Sequence, residues 1–316
     1  MKWLRPTISV TNSCNLSCKY CYLEASPKKK SALTISQIKE IVDLVTLHGA
    51  EEIKWTGGEI LTYNHLNEAI DYAFNKGIKS TIFTNGTLIN KKFLDRNSNM
   101  IKSIAISIDG PQDITDFYRG KGTFSKVIKS LVLIEKYNIP ITIMATIDKK
   151  SLPYISFFEE LSNSYKVDLI KIGILLEKGR AESWSNALSE KEALELVEEI
   201  EHMYERAHFT QKYGTNLLLG KTLELYNLRI LDTLFETLWI DWRGYISVFP
   251  PSNNYILDKE NSICHYSNLT SEIVDEYYMV TYKKLKKIIS NGDKVIELYE
   301  ALYKGVIENE DSIERV

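Results

Sequence analysis

The chain has 316 residues, of which 26% are charged and 44% hydrophobic, and its formal net charge is −3. This composition is typical of a globular protein and excludes a disordered or fibrous chain. The slight acidic excess argues against nucleic acid as a partner, because proteins that bind phosphate backbones usually carry a basic excess. No apolar run is long enough for a signal peptide or a membrane span. The sequence therefore predicts a cytoplasmic protein that binds neither nucleic acid nor membrane.

Strand and helix patterns alternate over the first two thirds of the chain. Residues 7–10 are alternating and β-branched, which predicts a first strand, and Thr34 with Gln37 forms a capping box for a helix that ends near Gly49. Further strands are predicted at residues 53–55, 80–83, 103–108, 141–147 and 169–175, with helices near residues 66–73, 91–96, 124–137 and 154–161. Repeated strand–helix units predict a parallel sheet with right-handed crossovers. Six such units predict an α/β fold, a partial (β/α)6 TIM-like barrel.

The pattern changes after this barrel. A charged helix is predicted from Ser189 toward His208, followed by a hairpin with strands at residues 238–240 and 245–249. The last part of the chain is predicted to be mainly helical. We therefore expect two domains: the barrel at residues 1–210, and a small α+β extension at residues 211–316 that packs against it.

Three of the four cysteines lie in one polar loop directly after the first predicted strand, with the spacing Cys14-x3-Cys18-x2-Cys21. Three thiolates this close can hold one metal centre. An iron–sulfur cube usually has four cysteine ligands, so three would leave one metal corner open. The pattern also permits three small buried side chains on one face of a helix, or a structural zinc ion, which usually needs four protein ligands.

This loop, with Tyr20 just before the third cysteine, resembles the signature of the radical S-adenosylmethionine (SAM) enzymes. The resemblance implies one [4Fe–4S] cluster on Cys14, Cys18 and Cys21, whose free iron chelates the amino and carboxylate groups of SAM. Tyr20 is then expected to belong to the cofactor site. One-electron reduction, from a donor such as flavodoxin or ferredoxin, cleaves SAM to methionine and a 5′-deoxyadenosyl radical. This radical abstracts a hydrogen atom from the substrate.

Further segments match the family in the same order. Gly57, Gly58 and Glu59 correspond to the Gly-Gly-Glu segment that receives the amino group of SAM; glycines allow close backbone approach, and a carboxylate suits an ammonium group. In the subgroup of sulfatase maturases and peptide-modifying enzymes, Ser107 would contact the ribose or carboxylate of SAM. Arg119 would bind the carboxylate through two hydrogen bonds. The alternative for Arg119 is a solvated loop cation.

Residues 84–86 and 179–181 also match segments of this subgroup. The subgroup usually continues into a cysteine-rich extension, called SPASM or twitch, that binds auxiliary iron–sulfur clusters. Residues 240–251 resemble its hairpin, but Pro250 and Pro251 stand where a cysteine is expected, and Cys264 is the only cysteine left. We therefore expect a degenerate extension that keeps its shape and binds no auxiliary cluster.

Cys264 has two interpretations. It is either a small half-buried side chain or, as in radical SAM epimerases, a thiol that returns a hydrogen atom to the substrate radical. The hairpin aromatic side chains are predicted to form hairpin core rather than a substrate cradle; they are Trp239, Trp242, Tyr245 and Phe249.

The resemblance implies an enzyme that modifies a ribosomally synthesised peptide by crosslinking, epimerisation or side-chain modification, because the subgroup is rich in peptide maturases. One alternative keeps the cofactors but takes a small molecule as substrate, such as an aminosugar or a nucleoside. It is favoured by the short segment before the cysteine loop, which leaves no room for a separate peptide-recognition domain. The other alternative is a metal-binding protein without catalytic activity.

Overall fold

The computed structural model describes residues 3–175, 177–206, 212–215, 217–219, 238–247, 262–270, 272–277, 279 and 295–297. The predicted end of the hairpin at residues 248–251, with Pro250 and Pro251, lies outside the described residues, as does Phe249. Most of the predicted helical C-terminal part also lies outside them.

Strands and helices alternate along the chain as predicted. The strands are β1 (Thr7–Ser9), β2 (Glu52–Thr56), β3 (Lys79–Thr84), β4 (Ile101–Ser107), β5 (Ile141–Ile147), β6 (Leu169–Ile174), β7 (Lys212–Thr215), β8 (Leu217–Leu219), β9 (Trp239–Ile240), β10 (Tyr245–Ser247), β11 (Cys264–His265) and β12 (Val295–Glu297). The helices are α1 (Ile35–Leu47), α2 (Leu66–Asn75), α3 (Lys91–Asn97), α4 (Gln112–Arg119), α5 (Thr123–Glu135), α6 (Phe157–Ser164) and α7 (Glu190–Arg206). None of the helices in the described ranges has both the length and the apolar character needed to cross a membrane.

Ten of the described strands form one sheet, in the order β11-β10-β9-β1-β2-β3-β4-β5-β6-β7. Neighbouring strands from β9 to β7 in this order are parallel, whereas β10 is antiparallel to both β9 and β11. The described strands at the two ends, β11 and β7, do not pair with each other, so the sheet remains open. This confirms the predicted α/β fold with a parallel sheet that curves as a partial barrel.

The predicted hairpin is present as β9 and β10, and its first strand pairs with β1 in parallel register, Thr7 with Trp239. The sequence patterns did not indicate this pairing, because it joins two segments that are far apart in the chain. The described strands on both sides of the expected domain boundary at residues 210 and 211 belong to one sheet. The division into two domains stays a prediction.

The first helix shows how the crossovers pack. Thr34 accepts a hydrogen bond from the backbone of Gln37, and the Gln37 side chain accepts one from the backbone of Thr34, so the predicted capping box is present. The buried side chains on this helix recur at helical spacing and face the sheet; they are Ile38, Ile41, Val42 and Val45. Burying each of them contributes roughly 1.5–3 kcal/mol, which holds the helix against the sheet.

Helix α4 is an element that the sequence patterns did not predict. It has only eight residues, and it begins after Pro111 without a side-chain cap. Its apolar face consists mainly of Ile114 and Tyr118, one turn apart, which is a weak periodic signal. Because of this helix, Arg119 lies in a buried last turn with 8% exposure and not in a solvated loop.

Candidate active site

A cavity of about 370 Å³ lies inside the partial barrel and reaches the carboxyl ends of its parallel strands. Active-site residues of parallel α/β barrels collect at this edge. Most of the site residues expected from the sequence line this cavity: Cys14, Cys18, Tyr20, Cys21, Gly57, Gly58, Ser107 and Arg119. Of the expected site residues, Glu59 and Cys264 are not among the described lining residues.

The cysteine loop, residues 14–21, presents three free thiols. The backbone carbonyl of Cys18 accepts a hydrogen bond from the N–H of Cys21 at 3.3 Å, which places these two cysteines in one tight turn. Burial raises the pKa of the Cys14 thiol to about 12, and it also raises the pKa of Cys18. These two thiols therefore hold their protons at neutral pH, and a metal that binds them as thiolates displaces those protons.

The end of β2 packs directly against the start of the cysteine loop. The N–H of Gly58 donates to the carbonyl of Thr11 at 2.7 Å, and the N–H of Glu59 donates to the carbonyl of Ser13 at 2.8 Å. A Cβ atom on Gly57 would lie 2.6 Å from the Thr11 carbonyl oxygen, and one on Gly58 would lie 2.2 Å from that of Ser13. The two glycines therefore let the β2 end and the loop approach closely.

Gly58→Ala is expected to lower stability and to displace the cysteine loop, because the new methyl group clashes with the Ser13 carbonyl. Overpacking of this kind typically costs about 1–3 kcal/mol. The matched control is Gly173→Ala in the same cavity, where the nearest atom to a new Cβ is 3.8 Å away. Thermal unfolding and iron content after reconstitution should both be lower for Gly58→Ala than for Gly173→Ala, and equal values would contradict this role of Gly58.

The end of β3 holds the cysteine loop through a side-chain amide. Asn85 Nδ2 donates to Asn15 Oδ1 at 2.9 Å and lies 3.8 Å from the Sγ atom of Cys14. Asn15 in turn donates to the hydroxyl of Thr87 at 2.8 Å. The segment at residues 84–86, which resembles the subgroup in sequence, thus supports the loop.

A buried ionic network joins β4 and α4 to the cysteine loop. Arg119 Nε and Nη2 donate to the two carboxylate oxygens of Asp109 at 2.6 and 2.9 Å. The Tyr20 hydroxyl donates to Asp109 Oδ2 at 2.7 Å and also accepts a hydrogen bond from Arg119. Burial alone would lower the pKa of Arg119, but the charge of Asp109 raises it, so the guanidinium stays charged. Asp109 is the partner that sequence reasoning left without a role.

Arg180, after the end of β6, supports the opposite side of the cysteine loop. Its Nε donates to the carbonyl of Cys18 at 2.7 Å, its Nη2 donates to that of Ala25 at 3.0 Å, and its backbone N–H donates to that of Cys21 at 3.2 Å. A Cβ atom on Gly179 would lie 2.8 Å from the Cys21 carbonyl oxygen. Residues 179–181 were indicated by the family resemblance. The hydrogen bond from Arg180 to the Cys18 carbonyl, however, spans 162 positions, and no local sequence pattern indicates it.

The Glu59 carboxylate lies beneath the cavity wall. It is 1% exposed and accepts hydrogen bonds from the Thr84 hydroxyl and the Asn85 N–H, each at 2.7 Å, and from the Leu61 N–H at 3.0 Å. Burial raises its pKa, and these hydrogen bonds act in the opposite direction. Glu59 thus ties the end of β2 to the end of β3. Its contact with the amino group of SAM stays a prediction.

The hairpin contributes two tryptophans to the site. Trp242 is 7% exposed and packs in a small apolar cluster with Cys14, Leu23 and Ala25. Trp239 is half-buried and lines the cavity. This corrects the prediction that the hairpin aromatic side chains form only hairpin core, because the pairing of β9 with β1 turns Trp239 toward the barrel interior.

Cys264 lies away from the other cysteines. It is on β11, where it pairs with Ile246 of β10, and β11 is three strands from β1 in the sheet. Neighbouring strands are about 4.8 Å apart, so β11 lies roughly 14 Å from β1. Burial raises the pKa of the Cys264 thiol to about 11. The structure does not bring Cys264 to the cavity, and its role as a hydrogen-atom donor stays a prediction.

The donor set fits an iron–sulfur cluster. In the part of the chain that the structure describes, no group of three or more His, Cys, Asp or Glu side chains is gathered around the position of a single ion. A cube binds each cysteine through a different iron atom, so its ligands need not converge on one point. Three free thiols that line one cavity, on a loop held from several strand ends, suit such a cube with one open corner.

Two lysines that sequence reasoning missed also line the cavity, Lys54 on β2 and Lys171 on β6. Each lies within a predicted strand, where a polar side chain among apolar neighbours is the only available signal. Burial lowers the pKa of Lys54 to about 8; the charge of Glu52 opposes this shift, and the charges of Lys171, Arg5 and Lys102 add to it.

Lys54→Met is expected to stabilise the protein below pH 8. In that range the Lys54 amine is charged in both the folded and the unfolded state. The free energy of unfolding of the wild type is therefore lowered by the full cost of burying the charge, on the order of 1–3 kcal/mol. As the pH rises from about 8 toward the ordinary value of 10.5, the folded state loses the proton first and the cost disappears. Thermal midpoints of the wild type and Lys54→Met should therefore differ most near neutral pH.

A Lys126→Met control removes an exposed charge on α5 and should show no such trend. A difference between wild type and Lys54→Met that stays constant across this pH range would contradict the prediction.

Comparison with known proteins agrees with this site. Residues 8–151 match the family model of the Radical SAM superfamily. Residues 8–151 therefore form a radical SAM domain, which supports the predicted enzyme class and its cofactors, a [4Fe–4S] cluster and SAM.

Two curated relatives and one solved structure illustrate the similarity. The chain is 33% identical over 153 residues to the antilisterial bacteriocin subtilosin biosynthesis protein AlbA of Bacillus subtilis, covering 47% of this chain and 34% of AlbA. It is 30% identical over 176 residues to an AdoMet-dependent heme synthase of Oleidesulfovibrio alaskensis, covering 54% of this chain and 45% of the synthase. These alignments thus span less than half the length of either relative. The fold matches that of anSMEcpe with bound AdoMet and Kp18Cys peptide, with a TM-score of 0.67, 18% identity and 96% coverage of both chains.

Proposed function

We propose that this protein cleaves SAM reductively and uses the resulting radical to modify a substrate. The observation that carries the proposal is the set of three free thiols on one cavity wall, beside Ser107 and Arg119. In a radical SAM domain, this arrangement supports Cys14, Cys18 and Cys21 as cluster ligands. When bound there, the cluster and SAM would supply the one-electron cleavage chemistry that yields a radical able to remove a hydrogen atom from a substrate.

The remaining expected site residues would bind and orient SAM. Gly57 and Gly58 form the cavity wall beside the cysteine loop, so their backbone would approach the amino end of SAM. Ser107 lies on the cavity wall at the end of β4, where it would contact the ribose or carboxylate of SAM. Arg119 would contribute positive charge, while its buried pairing with Asp109 fixes its position.

Tyr20 would orient the third cysteine and would not exchange protons. Its hydroxyl donates to Asp109 and accepts from Arg119, and burial raises its pKa well above the ordinary value. The side chain therefore stays neutral, and it anchors the cysteine loop to the end of β4.

The substrate that we propose is a ribosomally synthesised peptide, which would be crosslinked, epimerised or modified on a side chain. The similarity to AlbA supports this class, because AlbA is a biosynthesis protein of the bacteriocin subtilosin. The reducing equivalent would come from a donor such as flavodoxin or ferredoxin in the cytoplasm. The barrel at residues 1–210 would perform the chemistry, and residues 211–316 would complete its wall without auxiliary clusters.

A small-molecule substrate is the second candidate. The similarity to an AdoMet-dependent heme synthase, at 30% identity, favours it. Both candidates share the same SAM chemistry and differ only in what occupies the cavity.

Anaerobic reconstitution with iron and sulfide tests the proposal. The product should be brown, and dithionite should convert SAM to 5′-deoxyadenosine and methionine. A colourless zinc protein that leaves SAM intact would overturn the proposal in favour of a non-catalytic metal-binding protein. Incubation with candidate peptides and small molecules, followed by mass spectrometry in deuterated buffer, then separates crosslinking, other mass changes and epimerisation.

A further inference from the structure

The cavity wall is cationic although the chain as a whole is acidic. The Lys and Arg side chains among the described lining residues are Lys54, Arg119, Lys171 and Arg180, and no Asp or Glu is found among those lining residues. The whole chain, by contrast, has a formal net charge of −3. A cleft lined by charges of one sign attracts ligands of the opposite sign.

The two arginines hold the cysteine loop or the segment beside it. Arg119 forms a bidentate hydrogen-bonded pair with Asp109. Arg180 donates hydrogen bonds to the backbone carbonyls of Cys18 and Ala25. Their contribution to ligand binding is therefore limited by contacts that hold the loop. The two lysines supply the rest of the positive charge.

Lys54 and Lys171 lie on two different strands of the barrel wall, and both side chains are half-buried. Lys54 is two residues before the end of β2 at Thr56, and Lys171 is two residues before Gly173 on β6. Two residues along a strand correspond to about 6.6 Å. Lys54 thus lies below the end of β2 that leads into Gly57 and Gly58, whereas Lys171 is in register with Ser107 through Met144 of β5.

The two lysines line the same cavity although their strands are not neighbours in the sheet. The charge of Lys171 is one of the causes that lower the pKa of Lys54 to about 8. Glu52, the carboxylate with the strongest opposing effect on Lys54, is itself held by Lys102 at 2.5 Å and by Thr81 at 2.6 Å. Lys54 is thus a half-buried cation in a cleft, and its burial lowers the free energy of unfolding. Such a group is typical of a binding site.

We propose that Lys54 and Lys171 together bind a carboxylate group of the substrate inside the barrel, next to the SAM site. This inference rests on the proposed function, because it assigns to the substrate the part of the cavity that SAM leaves open. A carboxylate between two ammonium groups would gain charge-assisted hydrogen bonds in a partly dehydrated site. An acidic peptide side chain and a free carboxylate of a small molecule share this chemistry.

Matched probes test the subsite on reconstituted enzyme saturated with SAM. The peptides N-acetyl-Gly-Glu-Gly-amide and N-acetyl-Gly-Gln-Gly-amide differ only in a carboxylate, and their binding is measured by isothermal titration calorimetry. The Glu peptide should bind about tenfold more tightly, as expected for a hydrogen-bonded charge. Glutarate serves as a third probe: tighter binding of the Glu peptide than of glutarate indicates a peptide substrate, and the reverse indicates a small molecule.

The double variant Lys54→Met/Lys171→Met should bind the Glu and Gln peptides equally, whereas Lys54→Arg/Lys171→Arg should keep the preference. Lys126→Met, an exposed charge removal on α5, should behave as wild type. Equal binding of the two peptides to wild type, or a preference that survives in the methionine variant, would overturn the assignment. A matching loss of SAM affinity in the methionine variant would also overturn it, because the lysines would then serve the cofactor.

Separate measurements test the proposed function and this inference. Cleavage of SAM by dithionite-reduced wild-type enzyme, without any peptide, reports on the cluster chemistry alone. Discrimination between the Glu and Gln peptides reports on the lysines alone, because it is an equilibrium measurement that requires no turnover.

Discussion

Substitution of Cys14, Cys18 or Cys21 by alanine is expected to abolish the reductive cleavage of SAM. Each substitution removes one of three thiols on the cavity wall, and a cube left with two protein ligands is not held. The loss should be at least about 100-fold, since even the outer-shell partners of metal ligands are worth roughly 10–100-fold. Iron and sulfide content, the absorbance of the reconstituted protein and the rate of 5′-deoxyadenosine formation measure the effect.

Cys264→Ala is the matched control, because it removes a thiol whose strand lies three positions from β1 in the sheet. This variant should keep the full iron content and the full rate of SAM cleavage. A loss of iron in Cys264→Ala equal to that in Cys18→Ala would contradict the assignment of the cluster to the loop alone. If Cys264 donates a hydrogen atom to a substrate radical, the variant should lose product or its stereochemistry while SAM cleavage continues.

Asp109→Leu is expected to destabilise the protein by about 3–5 kcal/mol, the usual cost of removing one partner from a buried ion pair. Arg119 is 8% exposed and Asp109 is fully buried, so the substitution leaves the guanidinium without its carboxylate. The hydroxyl of Tyr20 loses its acceptor as well. Chemical denaturation of wild type and variant measures the difference in the free energy of unfolding.

The double variant Asp109→Leu/Arg119→Met should recover most of this loss, because no uncompensated charge remains buried. Additive destabilisation in the double variant would contradict the importance of the pair. The double variant also separates two roles of Arg119. If it regains stability but fails to cleave SAM, Arg119 contributes directly to the cofactor site; if it regains both, the residue only supports the loop.

The elements that local patterns could indicate were largely predicted. The capping box of Thr34 and Gln37 and the helical spacing of Ile38, Ile41, Val42 and Val45 appear in the structure as expected. Helix α4 was missed because its signal is short and lacks a side-chain cap. Arg119 was therefore given a possible solvated environment, although it lies in the buried last turn of that helix.

The sequence by itself indicated the class of chemistry that we propose for this protein. The spacing of Cys14, Cys18 and Cys21 in a polar loop after a strand predicts the donor set. The alternation of strands and helices predicts the parallel sheet. Both patterns are encoded between near neighbours in the chain. The resemblance to the radical SAM enzymes rested on the same short segments, and the matching family model covers residues 8–151.

Only the tertiary structure decided how the site is supported and what surrounds it. Arg180 reaches the carbonyl of Cys18 across 162 positions, and Trp239 enters the barrel wall through the pairing of β9 with β1. Lys54 and Lys171 share one cavity because β2 and β6 curve around it. These relations depend on contacts between distant segments, which packing of the whole sheet brings together and which no local sequence pattern encodes.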